Sequence, residues 1–419
     1  MDMGGCVVVE RWFPLHPDPD QLRRQAKELL RDARRGDPAA LEEFRQHHPA
    51  PPDLAAAKLS DAQLALARSY GFPRWPRLLL SCRMTQAIWD DDADAVGTLA
   101  RRHPEVVTHH AHRNWGPPMS FAANLGRDRI VTLLHDLGAR DIDWAFDRAC
   151  LQGRLETARR LYALGARPGP GAAMGPCETQ SGAGLALVLE LGGRIADAAG
   201  DPLAPVALLL ETYCRNPEGR RHCLELLAEH GVPLPDTPPM AVWRGRIDLL
   251  EAHLGRDPDL LRRTFTHQEM YPPAIGCHED ASLALNGTPP SGGTLLHLCV
   301  DCDEIDLARW MLDRGAPVDA GTAVDGDGFG GHTALFGTVV SQPYRTGRRK
   351  DGAFARLLLE RGADPNARAS LRKRLRGVED ETEHTYRDVT ATGWGQRFQD
   401  QAWVNPAALA LIAAAGGRP

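Results

Sequence analysis

Gly293-Thr294-Leu295-Leu296-His297 opens a pattern that Gly315-Ala316-Pro317-Val318-Asp319-Ala320 closes, and the chain then writes the pattern again. The second copy opens at Gly331-His332-Thr333-Ala334-Leu335-Phe336 and closes at Gly362-Ala363-Asp364-Pro365-Asn366-Ala367. Before each close runs an amphipathic stretch, Ile305 to Arg314 in one copy and Phe354 to Arg361 in the other. Apolar residues at i, i+3 and i+4 give each helix a stripe that it cannot bury alone, so neighbouring copies must stack. The closing glycine suits a helix that stops and reverses within two residues, because that reversal needs a left-handed C-cap.

Working outward, weaker copies end at Ile130 to Ala139, Leu161 to Ala166, Leu187 to Gly192, Leu224 to Gly231, Ile247 to Gly255 and Leu409 to Gly416. Together they predict an all-α solenoid of about eight or nine helix-turn-helix units over residues 83–419. The Gly/Pro-rich stretch from Arg167 to Pro176 reads as a loop. Four longer insertions, Thr264–Gly293, Ala320–Gly330, Gln342–Gly352 and Ala369–Arg387, project from one edge, where loops carry function in repeat arrays. Residues 1–82 read as a separate helical extension capping the array. Asp18 with Pro19, Asp37 with Pro38, and Ser60 with Gln63 mark its helix starts. A last helix follows Tyr70-Gly71-Phe72-Pro73-Arg74-Trp75-Pro76 and should end near Cys82.

The paired copies resemble the ankyrin repeat, and the Tyr70–Pro76 turn resembles an extension found on bacterial ankyrin-repeat proteins. That resemblance implies a rigid platform that holds another protein on its fingers and concave helices. It also implies that Thr294 and His297 hydrogen-bond backbone between neighbouring repeats. Leu295 replaces the family's usual proline, and Phe336 replaces the histidine in the second copy. The surface such a platform offers would hold Trp115, Met119, Trp144, Met240, Trp243, Asp301, Phe329, Tyr344, Trp394 and Arg397. Trp, Tyr and Arg concentrate interface energy.

Composition narrows the function classes. The 419 residues are 25% charged and 43% hydrophobic, as in ordinary folded proteins. A net charge of −6 gives no support for nucleic-acid or anionic-membrane partners, and no apolar run is long enough to span a bilayer. Nine cysteines, an odd number scattered along the chain, argue for reduced thiols and a cytoplasmic protein. Lysine appears only at 27, 58, 350 and 373, as a GC-rich, bacterial genome would give.

No catalytic set, metal or cofactor is expected. Cys277, His278, Cys299 and Cys302 have soft-ligand chemistry, yet the last two fall inside the helix of the strongest repeat, where cysteine fills core. His109, His110 and His112 lie in a turn near Trp115. Asp325 to Gly331 looks like a calcium loop, but Phe336 stands where the bidentate Glu belongs. It reads instead as a flexible finger with Phe329 exposed at its tip. The arginines from 345 to 376 are followed at once by Glu379, Asp380, Glu381 and Glu383, which should neutralise them. His267, Glu269, Tyr271, His278, Glu279 and Asp280 are the densest acid–base set. If they converge, an enzyme built on the 264–293 insertion is the alternative to a scaffold. Self-assembly into a structural protein is the third reading.

Overall fold

The computed structural model describes residues 11–111, 115–281, 285–376, 378 and 380–419. The chain divides into two compact units, Met1–Pro168 and Gly169–Pro419.

In the first unit, Asp18 caps Pro19–Arg34 through the Asp20 amide, and Asp37 caps Pro38–His47 through the Ala40 amide. Proline takes the first position of both helices, where its missing N–H leaves nothing unpaired. The third helix starts at Leu59, slightly ahead of the expected Ser60 cap, because the Asp61 carboxylate accepts the Lys58 amide at 2.6 Å. These three helices bury Ala26, Leu29, Phe44, Ala62 and Leu66 against one another. The helix expected to end near Cys82 continues to Trp89, since no glycine or proline interrupts Arg83 to Ile88. It pairs with Ala93–Arg102. Pro118–Leu125 with Asp128–Asp136 and Ile142–Leu151 with Leu155–Ala163 follow as two further pairs. First helices stack on first helices and second on second, which is the repeat packing that the periodicity demands.

The second unit continues the same plan. Its pairs are Met174–Glu178 with Gly182–Glu190, Ala204–Glu211 with Pro217–Glu229, and Pro238–Trp243 with Ile247–Arg256. Leu295–Asp301 with Ile305–Asp313, Ala334–Val339 with Ala353–Glu360, and Ala391–Arg397 with Pro406–Ala414 complete it. Nine helix pairs are thus formed among the described residues, an all-α repeat solenoid as the sequence predicts. At Gly315 and Gly362, φ is +84° and +86°. The Ala316 and Ala363 amides then bond Met311 and Leu358 carbonyls at 3.0 Å, reversing the chain. Gly255 departs from the pattern, lying inside a helix that leaves through an extended Asp257.

One apolar core runs through this unit, from Ala173 to Ile412. Trp243 and Trp394 are its largest fully buried side chains, and each indole N–H finds an acceptor, the Met270 carbonyl and the Thr288 hydroxyl, at 2.9 Å. The insertions fold instead of projecting as loops. The insertion that begins at Thr264 contains the short helix His267–Met270 and a tighter turn at Pro273–Ile275. Gln342–Thr346 is a short helix. The insertion at 369–387 becomes an antiparallel hairpin of β1 (Arg368–Arg374) and β2 (Glu383–Thr390), bulged between Ala369 and Leu371.

Arginines staple helix pairs, both neighbouring and non-neighbouring. Arg215 donates to the Asp301 carbonyl at 2.8 Å and its carboxylate at 3.0 Å. Arg220, fully buried, donates to the Trp243 and Cys302 carbonyls and to Glu304, which also takes Arg221. Arg349 holds Asp303 at 2.5 Å, and Gln342 and Thr346 both reach the Tyr213 carbonyl. The pair at 204–229 therefore grips the pairs at 295–313 and 334–360, past the intervening 238–256 pair. Ordinary solenoid units touch only adjacent units.

Candidate functional site

The finger at 325–331 and the hairpin make one structure. Asp325 accepts the Asp327 and Phe329 amides at 2.9 Å, and Gly330 bonds the Ser370 carbonyl at 2.7 Å. Arg372 reaches Asp325 at 2.6 Å and Asp327 at 3.2 Å. Arg387 donates to the Asp327 carbonyl at 2.8 Å. The Phe329 ring lies between the two guanidinium groups, 4.9 Å from Arg372 and 3.6 Å from Arg387. The expected flexible finger with an exposed tip is thus a docked one, and Phe329 is 8% exposed. Two cation–π contacts and a shared ion pair hold it. The Phe329 amide, with help from Asp327 and Arg372, keeps the Asp325 carboxyl below its ordinary range.

Beside the docked finger lies a cleft of about 420 Å³, lined by Pro289, Ser291, Thr322, Phe329, Lys373 and Arg374 among others. Lys373 is buried, donates to Asn286 at 3.0 Å, and is pushed down to about 8 by burial. Several basic residues of the last third take partners distant from the acids that follow them in sequence. Arg372 pairs with Asp325 and Asp327, Arg368 with Asp388, and Arg349 with Asp303, while Asp380 pairs with His384. Glu379 lies outside the described residues. Among the described residues no carboxylate pairs with Arg345, Arg348 or Arg374.

The acid–base set of the 264–293 insertion disperses. Glu269 closes a capping box on Thr266 and pairs with Arg263. His278 turns its ring to Glu211 at 2.9 Å. Tyr271 is buried against Trp243. Glu269 takes the Thr266 hydroxyl of its own turn, whereas His267 meets a distant one: its Nδ1 lies 3.1 Å from Ser291 Oγ, and its Nε2 lies 3.1 Å from the His278 carbonyl. Ser291 carries no motif and stands 24 residues away, so sequence reasoning missed it.

His297 behaves as a between-repeat strut, while Thr294 bonds within its own capping turn. His297 Nδ1 accepts the Thr294 amide at 3.1 Å, and its Nε2 donates to the His332 carbonyl at 3.0 Å. His332 in turn bonds the Pro289 carbonyl at 2.8 Å and the Thr322 hydroxyl at 3.1 Å. Burial pushes His297 down to about 3 and His332 to about 4, so both are neutral donors at pH 7.

The residues expected to face a partner separate by burial. Met119, Met240, Trp243 and Trp394 are at most 1% exposed. Their apolar bulk fills the core, so none of the four is offered to a partner in this fold. Asp301 and Phe329 are also buried, each committed to arginine. Trp144 is 37% exposed with His110 packed edge-on at 4.7 Å. Trp115 is half-buried under Arg148 at 5.5 Å, and Tyr344 half-buried beneath Lys350. Arg397 is exposed.

The three cysteines of the soft-ligand set, Cys277, Cys299 and Cys302, are buried core thiols. Cys299 lies against Met311 at 4.0 Å, and burial pushes the Cys302 thiol up to about 12. Among the described residues, no three His, Cys, Asp or Glu side chains are grouped to hold a metal. His109 stacks on Phe72 at 4.6 Å. His112 lies outside the described residues.

No protein-family model matches the chain, and no curated protein does. Among solved structures, the human ASB11 ankyrin repeat domain aligns over 72% of this chain and 99% of its own, at 17% identity and a TM-score of 0.26. A superposition of that degree carries no argument. The repeat architecture rests on the chain's own helix pairs and closing glycines.

Proposed function

We propose that this chain is a cytoplasmic, bacterial scaffold of ankyrin type that holds an acidic protein partner. The helices up to Ser69 serve as the cap, and the array begins with helix Trp75–Trp89, a few residues ahead of the boundary expected at 82/83. The observation that carries the reading is the insertion edge of the second unit. Finger and hairpin are locked together there, and among the described residues Arg345, Arg348 and Arg374 form no ion pair with a carboxylate. A rigid surface with uncommitted guanidinium groups suits carboxylates, because Arg binds them in a planar fork. Trp144, Trp115, Tyr344 and Arg397 supply further accessible groups of the kinds that anchor partners. The eight described cysteines are all free thiols, which suits a reducing compartment. No helix among the described residues is long and apolar enough to cross a membrane.

The test is retention of source-organism proteins on the immobilised full chain, beside a variant carrying Arg345→Glu, Arg348→Glu and Arg374→Glu. Acidic proteins retained by the wild type should be lost on the variant and released by salt. Equal retention of the same proteins by both would overturn the reading.

A further inference from the structure

Ser291 lines the cleft beside the docked finger and places its hydroxyl 3.1 Å from Nδ1 of His267. The other ring nitrogen, Nε2, lies 3.1 Å from the His278 carbonyl oxygen. A carbonyl can only accept, so Nε2 carries the proton. Burial lowers the pKa of His267, and the ring is neutral at pH 7 with Nδ1 bare. The Ser291 hydroxyl must then donate to it. Hydroxyl, imidazole and orienting acceptor thus stand in the order that activates a serine nucleophile.

The ring is fixed from several sides. Tyr271 stacks on it with centroids 4.9 Å apart and planes 27° from parallel. The Thr266–Glu269 capping box sets the turn that carries it. Gly292 bonds the Phe265 carbonyl and Phe265 the Gly293 carbonyl, both at 2.8 Å, which ties the serine's turn to the turn of the histidine. Positioned groups of this kind lose little entropy on reaching a reactive geometry.

We infer that Ser291 and His267 are a nucleophile–base pair that cleaves small carboxylic esters bearing an anionic group. Ser291 Oγ bonds to the ester carbonyl carbon while its proton passes to His267 Nδ1. The ester C–O bond breaks, and the departing alkoxide takes that proton and leaves as the alcohol. Water then attacks the acyl carbon and gives a proton to Nδ1. The acyl–Oγ bond breaks, that proton returns to Ser291, and the carboxylic acid leaves. Arg374 selects the anionic group: it lines the cleft opposite Glu383 on the partner strand, and among the described residues it forms no ion pair, whereas Arg372 is committed to Asp325 and Asp327. This activity shares Arg374 with the scaffolding surface but rests on Ser291 and His267, which scaffolding does not use, so either can fail without the other.

The full chain is incubated with a fluorophosphonate reporter, and adducts are mapped by mass spectrometry. One adduct on Ser291 is expected, absent from Ser291→Ala and slowed about 100-fold or more in His267→Gln. Circular dichroism confirms that each variant is folded. Glu211, Asp280 and His278 are the charged groups facing His267 besides the burial that dominates. The labelling rate should therefore rise with pH through a midpoint below the ordinary histidine value. p-Nitrophenyl hemisuccinate should be hydrolysed faster than p-nitrophenyl acetate, a preference that Arg374→Glu reverses. Folded wild-type chain without an adduct on Ser291 would overturn the inference. So would labelling that ignores both pH and His267→Gln.

Discussion

Glu304→Gln removes one charge from the interior of the second unit while changing the side chain's shape very little. Glu304 and Arg220 are both fully buried, and the carboxylate also takes Arg221. In the variant, Arg220 keeps the Trp243 carbonyl at 3.0 Å and the Cys302 carbonyl at 2.9 Å, but its countercharge is gone. The new amide also turns an N–H toward a guanidinium that can only donate. Removing one partner of a buried pair costs about 3–5 kcal/mol, against a total stability of roughly 5–15 kcal/mol for a domain. Arg221 is about a third exposed and adds little, because water screens it. With a urea dependence of about 1–3 kcal/mol per molar, the unfolding midpoint should fall by more than ~1 M. The paired replacement Arg220→Met with Glu304→Leu should recover most of that loss, since it leaves no charge stranded. A Glu304→Gln chain within about 1 kcal/mol of wild type would refute the reasoning, as would a double variant less stable than the single.

Two further outcomes follow from the buried histidines and the docked finger. His297 and His332 have folded pKa values of about 3 and 4, against about 6.5 when unfolded, so below that value only the unfolded chain gains protons. Their contribution is therefore full above about pH 7 and falls between roughly pH 6.5 and 4, by up to ~1.4 kcal/mol per pH unit for each. Urea midpoints that stay constant over that window would show the rings protonating in place. Phe329→Ala removes the ring held between Arg372 and Arg387, at a cost of about 3 kcal/mol. Amide exchange across residues 325–331 should accelerate on the order of 100-fold; unchanged exchange would mean that the ion pairs to Arg372 suffice.

The helix pairs are legible in the sequence because their signals are local. A glycine such as Gly315 declares a left-handed turn to anyone reading the ten residues before it. Thr294 and His297 are legible for the same reason, three residues apart in one capping turn. Contacts between distant segments are not announced in this way. Phe329 looks like an exposed tip until Arg372 and Arg387 are brought over it by a hairpin. That hairpin's alternation, Ala369 and Leu371 inward with Arg372 and Arg374 outward, is masked by its density of charge. Trp243 and Trp394 look like anchors for a partner because tryptophan serves interface and core alike. What separates them is the Met270 carbonyl and the Thr288 hydroxyl waiting for their N–H groups. Ser291 is ordinary in sequence and becomes distinctive only when His267 folds back onto it.

The grip of Arg215 on Asp301 and of Tyr213 on Gln342 also bears on how such a chain can evolve. An array whose units meet only their neighbours can gain or lose a copy by duplication or deletion and still close up. Here one added copy between residues 217 and 301 would carry Asp301 out of Arg215's reach and strand two buried charges. This stretch is therefore frozen in copy number, and its variation is confined to substitutions that respect a fixed length.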